Sequence, residues 1–123
     1  MPIVKPILRI FDYDKALEFY IHWLGFQIDW EYKVEATPVY LQVSMGSIVL
    51  HLSEHHGDST PGARVFIDDF PNLAAYHQQL RNKNYKYNRP GIAAPFYDEQ
   101  AIEVTVTDPF GNRLTFVERY VQL

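Results

Sequence analysis

A chain of 123 residues with 47% hydrophobic and 21% charged side chains can close one hydrophobic core, and no apolar run reaches the roughly 20 residues of a membrane-spanning helix. The formal charge of −4 argues against nucleic acid as a partner, because its binders carry basic stripes. The lack of cysteine removes disulfides, thiolate nucleophiles and cysteine-based metal sites. Nine Tyr, eight Phe and two Trp are more than so small a core needs, which leaves aromatic surface for a pocket or an interface.

The first residues, Met-Pro-Ile-Val-Lys-Pro, lack the apolar region of a signal peptide, so a cytoplasmic protein is expected. Residues 3–10 predict a short strand, which Pro6 places at an edge or a bulge. Asp12 is a helix N-cap. Tyr13, Leu17, Tyr20 and Leu24 follow at helical spacing, and Gly25 supplies the stop. Strands are predicted at Phe26–Tyr32, Val39–Met45 and Ser47–Ser53, with Met45-Gly46-Ser47 as a hairpin between the last two. The polar, turn-rich stretch around His55, His56, Gly57 and Asp58 then separates two modules, about 1–57 and about 58–123, of a single domain 1–123.

The second module repeats the first. Ala63–Ile67 predicts a strand, Asp69 a cap, Pro71 a first-turn proline, and Leu73, Tyr76, His77 and Leu80 the stripe of a helix. Tyr85–Tyr87 reads as a short strand, followed by a loop, a strand Ile102–Thr107, the turn Asp108-Pro109-Phe110-Gly111-Asn112 and a last strand Arg113–Glu118. Shifting the second module back by 57 positions lays Ile67 on Ile10, Asp69 on Asp12 and Phe70 on Tyr13. The expected fold is therefore α+β, with βαβββ twice.

Strand alternation separates the two faces of each sheet. Ile48, Leu50 and Leu52 oppose Val49, His51 and Ser53; Val39, Leu41 and Val43 oppose Tyr40, Gln42 and Ser44. Phe26, Ile28 and Trp30 oppose Gln27, Asp29 and Glu31. Val104 and Val106 oppose Glu103, Thr105 and Thr107, and Leu114 and Phe116 oppose Arg113, Thr115 and Val117. One face is consistently polar. It is either a solvated surface or a cup that receives a ligand.

The segments PILRIFDYDKALEFYIHWLGF, PVYLQVSMGSIVLHLSEHHGD and VTDPFGNRLTF resemble the glyoxalase/bleomycin-resistance superfamily, the vicinal oxygen chelate proteins, and most of all its bleomycin-resistance branch. The resemblance implies paired βαβββ modules enclosing a cup, commonly in a homodimer. Metal-dependent members carry a ligand on the first and last strand of each module. The corresponding positions here are Lys5, His51, about Gly62 and Thr115, and only His51 could bind a divalent metal well. The resemblance thus implies a metal-free, cofactor-free binding protein that sequesters a bleomycin-like antibiotic, with no catalytic residue and with neither nucleic acid nor membrane as a partner. The candidate ligand-binding residues are Asp29, Glu31, Tyr40, His51, Phe96, Tyr97, Glu103 and Thr115, with Trp30 and Tyr32 as further stacking candidates. The alternative is an enzyme of the same superfamily acting on a small molecule. It would be metal-dependent through His51, or metal-free with His51 or Glu103 as base.

Overall fold

The computed structural model describes residues 1–95, 97 and 100–119, which divide into two units. The first holds residues 1–63 and the turn 108–112; the second holds residues 64–107 and those from 113 on.

In the first unit, β1 (Ile7–Arg9) leads into helix α1 (Tyr13–Leu17), which continues as a π-helical segment, Glu18–Trp23. Strands β2 (Gln27–Tyr32), β3 (Tyr40–Met45) and β4 (Ile48–Ser53) follow, and the sheet order is β1-β4-β3-β2. β1 runs parallel to β4, an arrangement that needs a crossover connection, while the other pairs are antiparallel. The helix begins where expected: the Asp12 carboxylate accepts the Lys15 backbone N–H at 3.0 Å. Past its end, Gly25 takes φ +93°, a conformation that costs glycine nothing.

Alternation in β3 and β4 sends Leu41, Val43, Leu50 and Leu52 to the core, each at most 1% exposed. Each such side chain contributes about 1.5–3 kcal/mol by leaving water. Phe19 joins them and stacks edge-on to Tyr20, with ring centroids 4.8 Å apart.

The DPFGN segment is a structural knot. Asp108 Oδ1 accepts the backbone N–H groups of Phe110 and Asn112, both at 2.8 Å. Asp108 Oδ2 accepts the Tyr20 hydroxyl at 2.7 Å and Asn112 Nδ2 at 2.8 Å. The same Asn112 amide also donates to the Arg9 carbonyl at 2.8 Å, and its Oδ1 accepts the Ala63 N–H at 3.2 Å. A buried carboxylate is tolerable only when so fully hydrogen-bonded. Burial, together with the negative charge of Asp108, pushes the Tyr20 hydroxyl well above its ordinary pKa and keeps it a donor.

The second unit contains β5 (Arg64–Ile67), α2 (Leu73–Asn82), β6 (Ala101–Thr107) and β7 (Arg113–Arg119), with sheet order β5-β7-β6. Its first strand is again parallel to its last, as in the first unit. Two sequence expectations fail here. Tyr85–Tyr87 forms a turn closed by Asn88 N–H to the Tyr85 carbonyl at 3.2 Å, and the added pairing comes instead from an isolated bridge between Ala93 and Glu103. Asp69 does not cap α2. The helix begins at Leu73, so Asn72 and not Asp69 holds the cap position; the Asn72 side chain makes no capping bond, and the Glu118 carboxylate on β7 accepts the N–H groups of Asn72 and Leu73 at 2.9 and 3.0 Å. A carboxylate at that point also meets the positive end of the helix dipole.

Candidate functional site

The polar face of the first sheet carries a continuous hydrogen-bonded network. β3 contributes Tyr40, Gln42 and Ser44, and the register sets Gln42 opposite His51 and Ser44 opposite Val49. β2 contributes Asp29, which sits at a bulge where the register with β3 slips between Ile28 and Trp30. The Asp29 carboxylate accepts Ser44 Oγ and Gln42 Nε2, both at 2.9 Å, and Gln27 Nε2 at 3.4 Å. These donors, first Gln42 and then Ser44, hold its pKa below the ordinary carboxylate value.

The network fixes the protonation of His51. Because Gln42 Nε2 donates to Asp29, Gln42 Oε1 must be the acceptor for His51 Nε2 at 3.0 Å, so Nε2 carries the proton. His51 Nδ1 is then the acceptor for the Tyr40 hydroxyl at 2.6 Å. Partial burial, and secondarily the Lys5 ammonium, lower the pKa of this imidazole and favour the neutral form. Lys5 Nζ donates to the same Gln42 Oε1 at 3.1 Å.

An aromatic wall stands beside the network. The bulge reverses the sequence-predicted alternation of β2 from Trp30 onward, since the inserted residue turns every later side chain over. Trp30 therefore lies with the polar residues, its ring parallel to that of Tyr40 within 11° at 6.0 Å and edge-on to His51 at 5.3 Å. Glu31 goes to the other face, where it accepts the Tyr13 hydroxyl. Burial first, and then that hydrogen bond and charge, push the Tyr13 pKa up to about 12. Trp30 is 43% exposed and available to a flat ligand.

Of the residues singled out from sequence, the structure brings Asp29, Trp30, Tyr40 and His51 together and adds Gln42, Ser44 and Lys5. Glu31 leaves the group. Tyr97, Glu103 and Thr115 belong to the second unit. There the Thr115 hydroxyl is buried against that of Thr105 at 2.9 Å, Glu103 forms the backbone bridge to Ala93, and Tyr97 is exposed. Phe96 lies outside the described residues. Gln42 and Ser44 were legible as neighbours of Tyr40 at period two, but nothing in the sequence marks the bulge at Asp29.

The donor set does not suit a metal centre. Among the described residues no three His, Asp or Glu side chains converge to hold an ion, and both ring nitrogens of His51 are committed to Tyr40 and Gln42.

A two-unit chain with parallel first and last strands and an open polar sheet face defines the class, and the sequence agrees. Residues 2–122 match the family described as glyoxalase superfamily protein, and the chain belongs to that superfamily. Solved structures share its fold. An antibiotic-binding protein, TnmS3 from Streptomyces sp. CB03234, is 18% identical with a TM-score of 0.73, the match covering 97% of each chain. A bleomycin-binding protein solved with bleomycin is 21% identical with a TM-score of 0.70, over 97% of this chain and 99% of that one. A bleomycin resistance determinant encoded on transposon Tn5 is 20% identical with a TM-score of 0.71, over 98% and 100%. No curated protein matches the sequence.

Proposed function

We propose that this protein binds and sequesters an aromatic, cation-bearing antibiotic of the bleomycin kind and does not transform it. The observation that carries the reading is the pairing of an exposed aromatic wall, Trp30 on Tyr40, with the Asp29 carboxylate on one open sheet face. A planar heteroaromatic such as the bithiazole of bleomycin would stack on the indole, and a cationic tail would lie toward Asp29. Fold neighbours that bind bleomycin or another antibiotic support the same reading.

The metal-free enzymatic alternative with His51 as base is weaker on chemical grounds. A general base needs an available lone pair, and that of His51 Nδ1 already accepts the Tyr40 hydroxyl. The protein is proposed to work as a homodimer. All six residues of the edge strand β2 are exposed, with Ile28 and Tyr32 among them, and an exposed apolar edge strand calls for a cover. Incubation with excess bleomycin should raise the thermal midpoint and return the drug with unchanged mass. A new product mass, or no rise in midpoint at hundreds of micromolar drug, would overturn the proposal.

A further inference from the structure

Two nitrogen donors from different parts of the first unit converge on one oxygen. Lys5 Nζ, from the segment before β1, and His51 Nε2, from β4, donate to Gln42 Oε1 at 3.1 and 3.0 Å. The orientation of that carboxamide is forced by its own donation to Asp29, so the convergence does not depend on how the amide is drawn. The acceptor is neutral, whereas one of the donors is a full cation. An ammonium hydrogen-bonded to a carboxamide is a weaker arrangement than one bonded to an anionic oxygen. Gln42 is a half-buried, rotatable side chain on the open face, so its oxygen can give way to a stronger acceptor. Trp30 is the register partner of Gln42 across β2 and β3 and stands edge-on to His51, so its ring lies beside both side chains.

We infer that Lys5 Nζ and His51 Nε2 form a subsite for an acidic oxygen, a carboxylate or phenolate, carried by an aromatic ligand that displaces Gln42 Oε1 and lies on Trp30. This deepens the ligand class of the proposed binding site and shares its aromatic wall, but it does not require the ligand to be bleomycin-like. Asp29 and the Lys5–His51 pair then stand at opposite ends of Gln42, and the site fits a ligand with both a cationic and an acidic group. Lys5 specifies the acidic end by charge, and His51 orients it through an N–H whose position Tyr40 fixes from the far side of the ring.

Benzoate and benzamide have nearly the same shape and differ in charge at the oxygen. Titrated into the 123-residue chain and followed by NMR, benzoate should bind at least roughly tenfold more tightly than benzamide. It should also shift the His51 Nε2 resonance. Lys5→Met should abolish the preference and Lys5→Arg should keep it. Lys5 is exposed, so both variants should keep the wild-type thermal midpoint. Equal affinity for the two probes, or a preference that survives Lys5→Met, would overturn the subsite. Bleomycin titrated in parallel separates the two proposals. A benzoate preference lost in Lys5→Met, without bleomycin binding, upholds the subsite and removes the antibiotic reading. Bleomycin binding with no benzoate preference does the reverse.

Discussion

Removing one oxygen atom, by Tyr20→Phe, should destabilise the protein far more than the same change at Tyr13. The Tyr20 ring is fully buried and Phe fills its volume, so the substitution leaves the packing of Phe19 and Phe26 intact. What is lost is the 2.7 Å bond from the hydroxyl to the buried Asp108 carboxylate. A hydrogen bond to a charged group contributes about 1.5–3 kcal/mol, and a buried acceptor stripped of one donor is not compensated by water. Asp108 keeps its three donors from Phe110 and Asn112, which holds the expected loss near 2 kcal/mol rather than above it. In a chain of this length that corresponds to a fall of about 6–12 °C in thermal midpoint. Tyr13→Phe removes a hydroxyl near the surface and should cost less than about 1 kcal/mol. Urea unfolding of both variants measures the difference, with an unchanged denaturant slope showing that the native fold is kept. A Tyr20→Phe loss below about 0.5 kcal/mol would refute the role given to the Asp108 knot.

Other outcomes follow from the same contacts. Glu118→Ala should cost about 1 kcal/mol by uncapping α2, whereas Asp69→Gly, which removes the side chain at a positive φ that glycine adopts freely, should be nearly neutral; thermal unfolding distinguishes them. His51 has a lowered folded pKa, so below the ordinary value of 6.5 the unfolded chain takes up the proton first. Its contribution to stability is therefore complete above that value and declines as pH falls toward the folded pKa. The titration of the His51 ring, followed by NMR, should show a midpoint below 6.5 that rises in Lys5→Met, because the nearby ammonium is part of the cause. Antibiotic affinity should fall with added salt, since a charge pair at Asp29 would be partly exposed and screened within a Debye length of roughly 8–10 Å.

Much of the fold was legible because it rests on alternation and punctuation. The apolar rows of β3 and β4, the Asp12 cap and the stop at Gly25 each have a local cause, and each stands where the sequence puts it. Two of the failures, the cap of α2 and the faces of β2, share a different cause: they are decided by residues remote in sequence. α2 is capped by Glu118, 45 positions beyond Leu73, and no local pattern announces that partner. The Tyr85–Tyr87 stretch is too short for alternation to separate a strand from a turn. The bulge at Asp29 is a property of pairing with β3, so Trp30 and Glu31 exchanged faces although the composition of β2 was read correctly. The site followed suit. Asp29, Tyr40 and His51 were identified from their faces, but the use of Gln42 as a bridge among Lys5, His51 and Asp29 emerges only once three strands and the first residues are assembled.

Calorimetric titration of bleomycin into the wild-type protein and into Trp30→Ala tests the central claim most directly. The aromatic wall predicts saturable binding to the wild type and an affinity about 5- to 150-fold weaker in the variant, since stacking of this kind contributes about 1–3 kcal/mol. Trp30→Ala also gives up the indole's contacts with Tyr40 and His51, so the titration is run well below the variant's own thermal midpoint. No heat from the wild type at hundreds of micromolar drug, or equal affinity in both proteins, would contradict the assignment of this sheet face as the antibiotic-binding surface.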